Sequence, residues 1–395
     1  MRVLLTSTSY PPAIGGAQLH THQVAVELAR HHEVSVITQW STYRTDWLLG
    51  TTVMAPAASG AYEVDGVHVH QIGLGVMEKL RLTPYVLAYY VLQGTSIRHI
   101  SRCLLERLEA LAPQPDVVHN VRIGREPLSF ASLALARRRG VPFFLTPLHH
   151  PRWQGWRYRH YQRLYRLADG VVALTEAEKR TLVELGVDGD RVHVAGMGPI
   201  LAPSGDGERF RRGHDVTGPM VLFLGQKYHY KNIAPLLGAA PLVWKRFPET
   251  RFAFLGPRTP YSRRLFRPVR DRRIIELASV DLQEKTDALM ACDLLCLPSS
   301  QESFGGVFVE AWMMGKPVIG ARIPAVAEVI SDGNDGLLTE PTSAAIAEKI
   351  LAVLQDGRSA AAMGRAGKVK AEARFTWGRI AATIERAYAL AASGG

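Results

Sequence analysis

The densest chemistry in the sequence lies in the block Pro298-Ser-Ser-Gln-Glu302-Ser-Phe304-Gly305-Gly306-Val307-Phe-Val-Glu310-Ala-Trp-Met-Met-Gly315-Lys-Pro317. An apolar strand signal ends at Leu297-Pro298, a glycine-bearing loop follows, and helical periodicity starts near Gly306. Gly315 reads as the helix cap and Pro317 as its stop. Unpaired amides at such a helix start suit a diphosphate, which places Phe304, Gly305, Gly306 and Val307 around the phosphates. Glu310 follows about 6 Å further along the axis, a reach that suits a carboxylate accepting both ribose hydroxyls. It falls at the margin of the apolar face, so an ionised carboxylate there requires a partner. Glu302, on the loop before the helix, is placed to hold sugar hydroxyls. Taken singly, each glutamate reads as an ordinary rim or loop carboxylate; the assembled block carries the functional reading.

A second block is Val221-Leu-Phe-Leu224-Gly225-Gln226-Lys227-Tyr-His-Tyr-Lys231-Asn232, a strand running through a glycine turn to a lysine at a helix start. A point charge on a flexible stem suits a leaving diphosphate, which makes Lys231 a catalytic candidate. A surface lysine is the plain alternative. In Ser9-Tyr-Pro-Pro-Ala-Ile-Gly15-Gly16-Ala-Gln-Leu-His20, two glycines allow close backbone approach to a ligand, though a tight turn alone explains them too. His119, a further catalytic candidate, ends the strand Asp116-Val-Val-His119-Asn120, where an imidazole faces a ligand site more often than the core. His149 and His150 follow another strand and, with His20, form the acceptor-side set; either could orient a hydroxyl or relay its proton. A structural role for one of that pair is the alternative.

Glu302 and Glu310, with seven residues between them, resemble the E-x7-E motif of retaining GT-B glycosyltransferases, specifically glycosyltransferase family 4. Pro298-Ser299, Ser303-Phe304-Gly305, Glu310-Ala311 and Gly315-Lys-Pro-Val318 match the flanks of that motif, and the resemblance extends over nearly the whole chain. It implies that Glu310 binds the donor ribose and Glu302 contacts the transferred sugar. It further implies that Lys231 is the lysine of a donor-phosphate Arg/Lys pair, and that Gly15 and Gly16 meet the donor's phosphate and sugar. Two departures stand out. Gln226 occupies the arginine position, leaving Lys227 to replace the charge or the site to run with less; Val121 occupies the second position of a His-x-His segment. The family further implies a nucleotide-sugar co-substrate, no cofactor and no metal. UDP is favoured, with GDP, ADP and dTDP open, and base contacts fall near Ile275–Ala278. The hydroxyl acceptor, a lipid-linked glycan or a small natural product, is not named by the sequence. A nucleotide-sugar epimerase of the same architecture and a non-catalytic membrane-docking protein are the alternatives.

The elements that must position these residues alternate. Strand signals at Val3–Thr6, Val34–Thr38, Val67–Gln71, Val117–His119, Phe143–Thr146, Val171–Leu174 and Val192–Val194 are separated by helical stretches. After the Gly-, Pro-, Asp- and Arg-rich stretch Leu201–Pro219, read as a linker, the rhythm restarts. Its strands are Val221–Leu224, Phe252–Leu255, Ile274–Leu277, Leu294–Pro298, Pro317–Gly320 and Gly336–Leu338. This predicts an α/β fold of GT-B type: two Rossmann-like doubly wound parallel-sheet domains facing a central cleft. The expected bounds are an acceptor-side domain over 1–203, a nucleotide-sugar domain over 204–376, and a helix over 377–395 returning to the first domain.

Charge and composition narrow the partners. The net charge of +11 fits anionic partners, but no nucleic-acid motif accompanies it. Arginines interleave with tryptophan and tyrosine from Arg152 to Arg166, which suits an anionic membrane surface; a solvated helix with packed aromatics is the alternative. Cys103, Cys292 and Cys296 are an odd set that predicts a reducing compartment, with the latter two as buried filler in a leucine-rich strand. No apolar run has membrane-spanning length and the first apolar stretch is short for a signal segment, so a cytoplasmic location is expected. Asp188-Gly-Asp190 reads as a turn and not a metal site, and His68 and His70 as strand surface.

Overall fold

The computed structural model describes residues 1–13, 15–40, 48–112, 114–122, 124–149, 153 and 155–393. They divide into two compact units, Met1–Gly196 with Trp377–Gly395, and Met197–Thr376.

The first unit is built on strands β1 (Arg2–Ser9), β2 (Glu33–Trp40), β3 (Gly60–Val64), β4 (Val67–Gln71), β5 (Val117–Val121), β6 (Phe143–Thr146), β7 (Gly170–Ala173) and β8 (Val192–Val194). They form one sheet in the order β3-β4-β2-β1-β5-β6-β7-β8. Strands such as Val3-Leu4-Leu5 and Val117-Val118 are buried on both faces, which is why they read as unbroken apolar runs. The β3–β4 pair is an antiparallel hairpin turning through Asp65 and Gly66, both at positive φ. Strand β3 escapes the sequence reading because Gly60-Ala-Tyr-Glu-Val64 is mostly exposed and carries no apolar alternation.

Strand order reverses at β1, which lies between β2 and β5, so the loops after β1 and β5 flank a switch point. The helix Trp377–Ser393 belongs to this unit. It buries Trp377, Ile380, Ile384, Ala387 and Tyr388, a helical spacing that sets one stripe against the sheet.

The second unit carries β9 (Met220–Leu224), β10 (Arg251–Leu255), β11 (Ile274–Leu277), β12 (Leu294–Leu297), β13 (Val318–Ala321) and β14 (Gly336–Thr339). All are parallel, in the order β11-β10-β9-β12-β13-β14. Here the switch point lies between β9 and β12.

Two expectations are corrected. The break between units falls at Gly196/Met197 and not at residue 203. The stretch read as a linker carries the helix Gly207–Gly213, whose N-cap Asp206 accepts the Arg209 N–H at 3.0 Å. Arg209 donates to Asp287, and Arg211 to the Ala291 carbonyl, so these polar residues fasten the segment to the second unit.

Smaller readings find their places as well. Asp188 accepts the Asp190 N–H at 3.1 Å in a single turn of 3-10 helix. Cys296 is a buried thiol within β12, whereas Cys292, also buried, caps the C-terminus of the helix Leu282–Ala291 and lies outside the strand. Val67 and Val69 point inward on β4 while His68 is exposed.

Candidate active site

Both chemical blocks of the second unit end on neighbouring strands. Val221 and Leu222 of β9 pair with Leu294 and Leu295 of β12, so the loops 225–232 and 298–305 leave the sheet side by side at the switch point. The two loops are stitched together. Asn232 Nδ2 donates to the Pro298 carbonyl at 2.8 Å, and the Ser300 N–H donates to the Tyr230 carbonyl at 2.9 Å. Asn232 adopts a left-handed φ of 53°, which ends the loop and caps the helix Ile233–Trp244. Across this seam Lys231 Nζ donates to Glu302 Oε1, both side chains being largely buried.

The helix Gly306–Met313 starts directly after this loop, with Gly305 as its N-cap at φ 85°. A side chain at Gly305 would also sit 2.5 Å from the Phe308 ring, so glycine is required twice over. Phe304 is buried edge-on against Phe375, with ring centroids 5.2 Å apart, and so locks the loop; its role is packing. Glu310 lies inside the helix and is 5% exposed. Its Oε1 accepts the Ile200 N–H at 3.3 Å and Lys285 Nζ at 2.9 Å.

Lys285, from the helix Leu282–Ala291, is the partner that a carboxylate at this position requires, and it also donates to the Ile200 carbonyl. No sequence signal near Glu310 identifies it, since it lies 25 residues earlier on another helix. Glu310 Oε2, Ser299 Oγ and Gln301 Oε1 are buried and have no hydrogen-bond partner among the described residues. Three unmatched polar atoms in one loop and helix are costly unless water or a ligand's polar groups meet them.

Lys227, expected to supply charge at the donor phosphate, lies elsewhere. Its ammonium is fully buried, bound to Glu276 and donating to the Leu277 carbonyl at 2.7 Å. Burial pushes its pKa down while Glu276 pulls it up. Arg258 closes over the same carboxylate at 2.8 Å. Lys227 therefore ties the loop after β9 to the end of β11. Gly225, at φ 146°, makes the turn between β9 and that lysine, and a side chain at the neighbouring Gly256 would meet the Gly225 carbonyl at 2.2 Å.

The first unit corrects the histidine assignments. His119 is fully buried in mid-strand, its Nδ1 2.6 Å from the Tyr388 hydroxyl and its Nε2 2.8 Å from Thr146 Oγ1. Burial pushes its pKa down to about 3, with His20 lowering it further. Both ring nitrogens are engaged, so the expected catalytic group is a core imidazole. His20, expected on the acceptor side, is also buried, beside the Trp377 ring with centroids 5.5 Å apart, and burial lowers its pKa to about 4.

His149 is buried against Tyr165 and Trp153. Its N–H donates to Glu178 at 2.6 Å, and burial pushes that carboxyl up to about 7. His150 and Arg152 lie outside the described residues. The aromatics interleaved from Arg152 to Arg166 are divided: Tyr161 and Tyr165 enter the core, and Arg122 stacks over Trp153 at 3.7 Å. Trp156 alone of that set is exposed, with Arg159 over its ring at 3.7 Å. Gly15 and Gly16 sit at the start of the helix Gly16–Leu28, and a Cβ on Gly16 would meet nothing within 4 Å. Its backbone is therefore open to close approach.

Two family models match the chain. One, described as glycosyl transferases group 1, covers residues 206–370, and the other, a glycosyl transferase 4-like domain, covers residues 15–198. Among curated proteins, the chain is 31% identical over 240 residues to a D-inositol 3-phosphate glycosyltransferase of Pseudarthrobacter chlorophenolicus, 57% of each chain being covered. The chain thus spans little more than half the length of such relatives. It is 24% identical over 424 residues to a glycogen synthase of Mycobacterium tuberculosis, covering 100% of this chain and 96% of that one. Among solved structures, Anabaena HepE in complex with UDP-glucose superposes with a TM-score of 0.72 at 19% identity, covering 100% of both chains.

Proposed function

Because the chain belongs to the glycosyl transferases group 1 family, with the GT-B fold, we propose that it moves a hexose-like sugar from a nucleotide diphosphate to an acceptor hydroxyl with retention of configuration. The observation that carries this reading is the junction of the two blocks at the β9/β12 switch point. It pairs Lys231 with Glu302 on loops that lead into the helix bearing Glu310, and Ser299 Oγ, Gln301 Oε1 and Glu310 Oε2 there lack partners among the described residues. Glu310 accepts the ribose hydroxyls while Lys285 fixes its carboxylate. Glu302 accepts hydroxyls of the sugar, and Lys231 together with the Gly305 and Gly306 amides stabilises the diphosphate. As the bond from the anomeric carbon to the phosphate oxygen breaks, the acceptor oxygen bonds to the same face and its proton passes to the departing phosphate.

UDP is the favoured nucleotide, in keeping with the UDP-glucose held by HepE. Replacing Glu310 by alanine removes charge-assisted hydrogen bonds worth about 1.5–3 kcal/mol, so UDP affinity by calorimetry should fall about ten- to a hundredfold. Unchanged affinity in a folded variant removes Glu310 from the ribose. Incubation with UDP-sugar alone should give slow hydrolysis; an epimerised sugar nucleotide in its place identifies an epimerase.

The reaction is expected to run without metal, since Asp188 serves to cap its own turn at Asp190. Turnover should survive excess chelator. Loss of turnover that manganese restores contradicts this.

A further inference from the structure

We propose that the first unit carries a docking surface for an anionic lipid membrane, formed by the helix Val76–Leu87 and the turn that follows it to Leu92. This helix is apolar on two faces. Leu82 and Val86 enter the core, as an amphipathic helix requires, but Met77, Leu80, Pro84 and Leu87 form a second stripe at helical spacing that is open to solvent. Leu87 is 75% exposed and Val91 80%, with Val76, Tyr90 and Leu92 also exposed. Scattered exposed apolar side chains are ordinary; this many within one helix and its turn mark an interaction surface.

The charges around the patch say what covers it. Glu78 is the one carboxylate in residues 76–102, and Arg107 and the Gly75 N–H occupy it. Arg81 is exposed on this helix, and Arg98 and Arg102 are exposed on the next one, Gln93–Leu111. Arg125 donates to the Tyr90 hydroxyl at 2.9 Å, placing a guanidinium at the edge of the turn. Gln93 donates to the Arg157 carbonyl at 3.0 Å, which sets the exposed Trp156 and Arg157 beside Leu92. Residues 155–167 contain no carboxylate.

An apolar centre with a rim of one sign fits acyl chains under phosphate headgroups. A second copy of the chain would bring the same basic rim against itself, where like charges repel. The surface differs from the one expected from the Arg152–Arg166 aromatics, because Tyr161 and Tyr165 are core residues and only Trp156 contributes.

Sedimentation of the full chain with phosphatidylcholine vesicles, with and without phosphatidylglycerol, tests this. Binding is expected to the anionic vesicles only and to weaken with salt. Joint Leu87→Asp and Val91→Asp substitution, at positions exposed enough to leave the fold intact, should lower binding about a hundredfold. Joint Arg81→Gln and Arg157→Gln substitution should lower it roughly thirtyfold. Equal binding to neutral vesicles, no binding at low salt, or variants that bind like the parent each overturn the proposal. So does concentration-dependent dimerisation that the double aspartate variant abolishes, which would make a second copy the occupant. UDP-sugar hydrolysis measured without vesicles reports the transferase reading separately, so either can fail while the other stands.

Discussion

Lys231→Met should lower turnover about 10²–10³-fold, as expected when a fixed donor to developing negative charge is removed from a dry site. The substitution keeps the stem and deletes the ammonium. Two mechanisms predict a loss, and they separate. Lys231 and Glu302 form a largely buried ion pair, and breaking such a pair typically costs about 3–5 kcal/mol by leaving an uncompensated charge. If the lysine serves only to neutralise Glu302, adding Glu302→Gln to Lys231→Met should restore thermal stability and bring turnover back to that of Glu302→Gln alone. If the lysine meets the leaving diphosphate, the double variant should recover stability while its turnover stays far below that of Glu302→Gln alone. Lys231→Arg retains charge with a different reach and should fall between. Parental turnover in the folded methionine variant would exclude Lys231 from the chemistry.

The residues in that test were legible in sequence because the second-unit site is assembled from contiguous segments. Strand, glycine turn, lysine and strand, loop, helix start are each local patterns, and a parallel sheet brings their ends together at the switch point without further instruction. What escaped the reading is what depends on distant partners. Lys227 and Lys231 are near neighbours in sequence, and only Glu276, 49 residues beyond the first, draws Lys227 into the interior. Lys285 is equally silent until a neighbouring helix lays it beside Glu310.

The histidines fail for a related reason. In a parallel sheet covered on both faces, alternation does not separate a core-facing side chain from a ligand-facing one. The hydroxyl that engages His119 belongs to Tyr388, 269 residues away, on a helix whose docking the local sequence does not encode. The linker expectation failed because glycine, aspartate and arginine serve a short capped helix as readily as a disordered link.

Acid should destabilise the first unit through His119 in a way a single substitution exposes. The folded protein holds this imidazole neutral, with a pKa pushed from 6.5 down to about 3. Between those values the unfolded chain takes up a proton that the folded chain refuses, so stability is lost as pH falls below 6.5, by up to about 1.4 kcal/mol per pH unit. Above that range both states are neutral and the contribution is flat. Glu178 acts with the opposite sign: burial raises it to about 7, so protonation as pH falls favours the folded state. The parent's stability curve is therefore a composite, and the informative quantity is its difference from His119→Gln.

At pH 7.5 the glutamine variant should be less stable by about 1–3 kcal/mol, having disturbed the bonds to Tyr388 and Thr146. Between pH 6.5 and 5 that deficit should shrink, because the variant no longer has the titrating ring. Urea unfolding at several pH values measures it. A deficit constant from pH 7.5 to 5 would mean the imidazole is not held neutral in the core. Turnover supplies the second reading: a packing role predicts that His119→Gln loses activity only in proportion to its unfolded fraction. A folded variant with turnover down by orders of magnitude at every pH would return His119 to the chemistry.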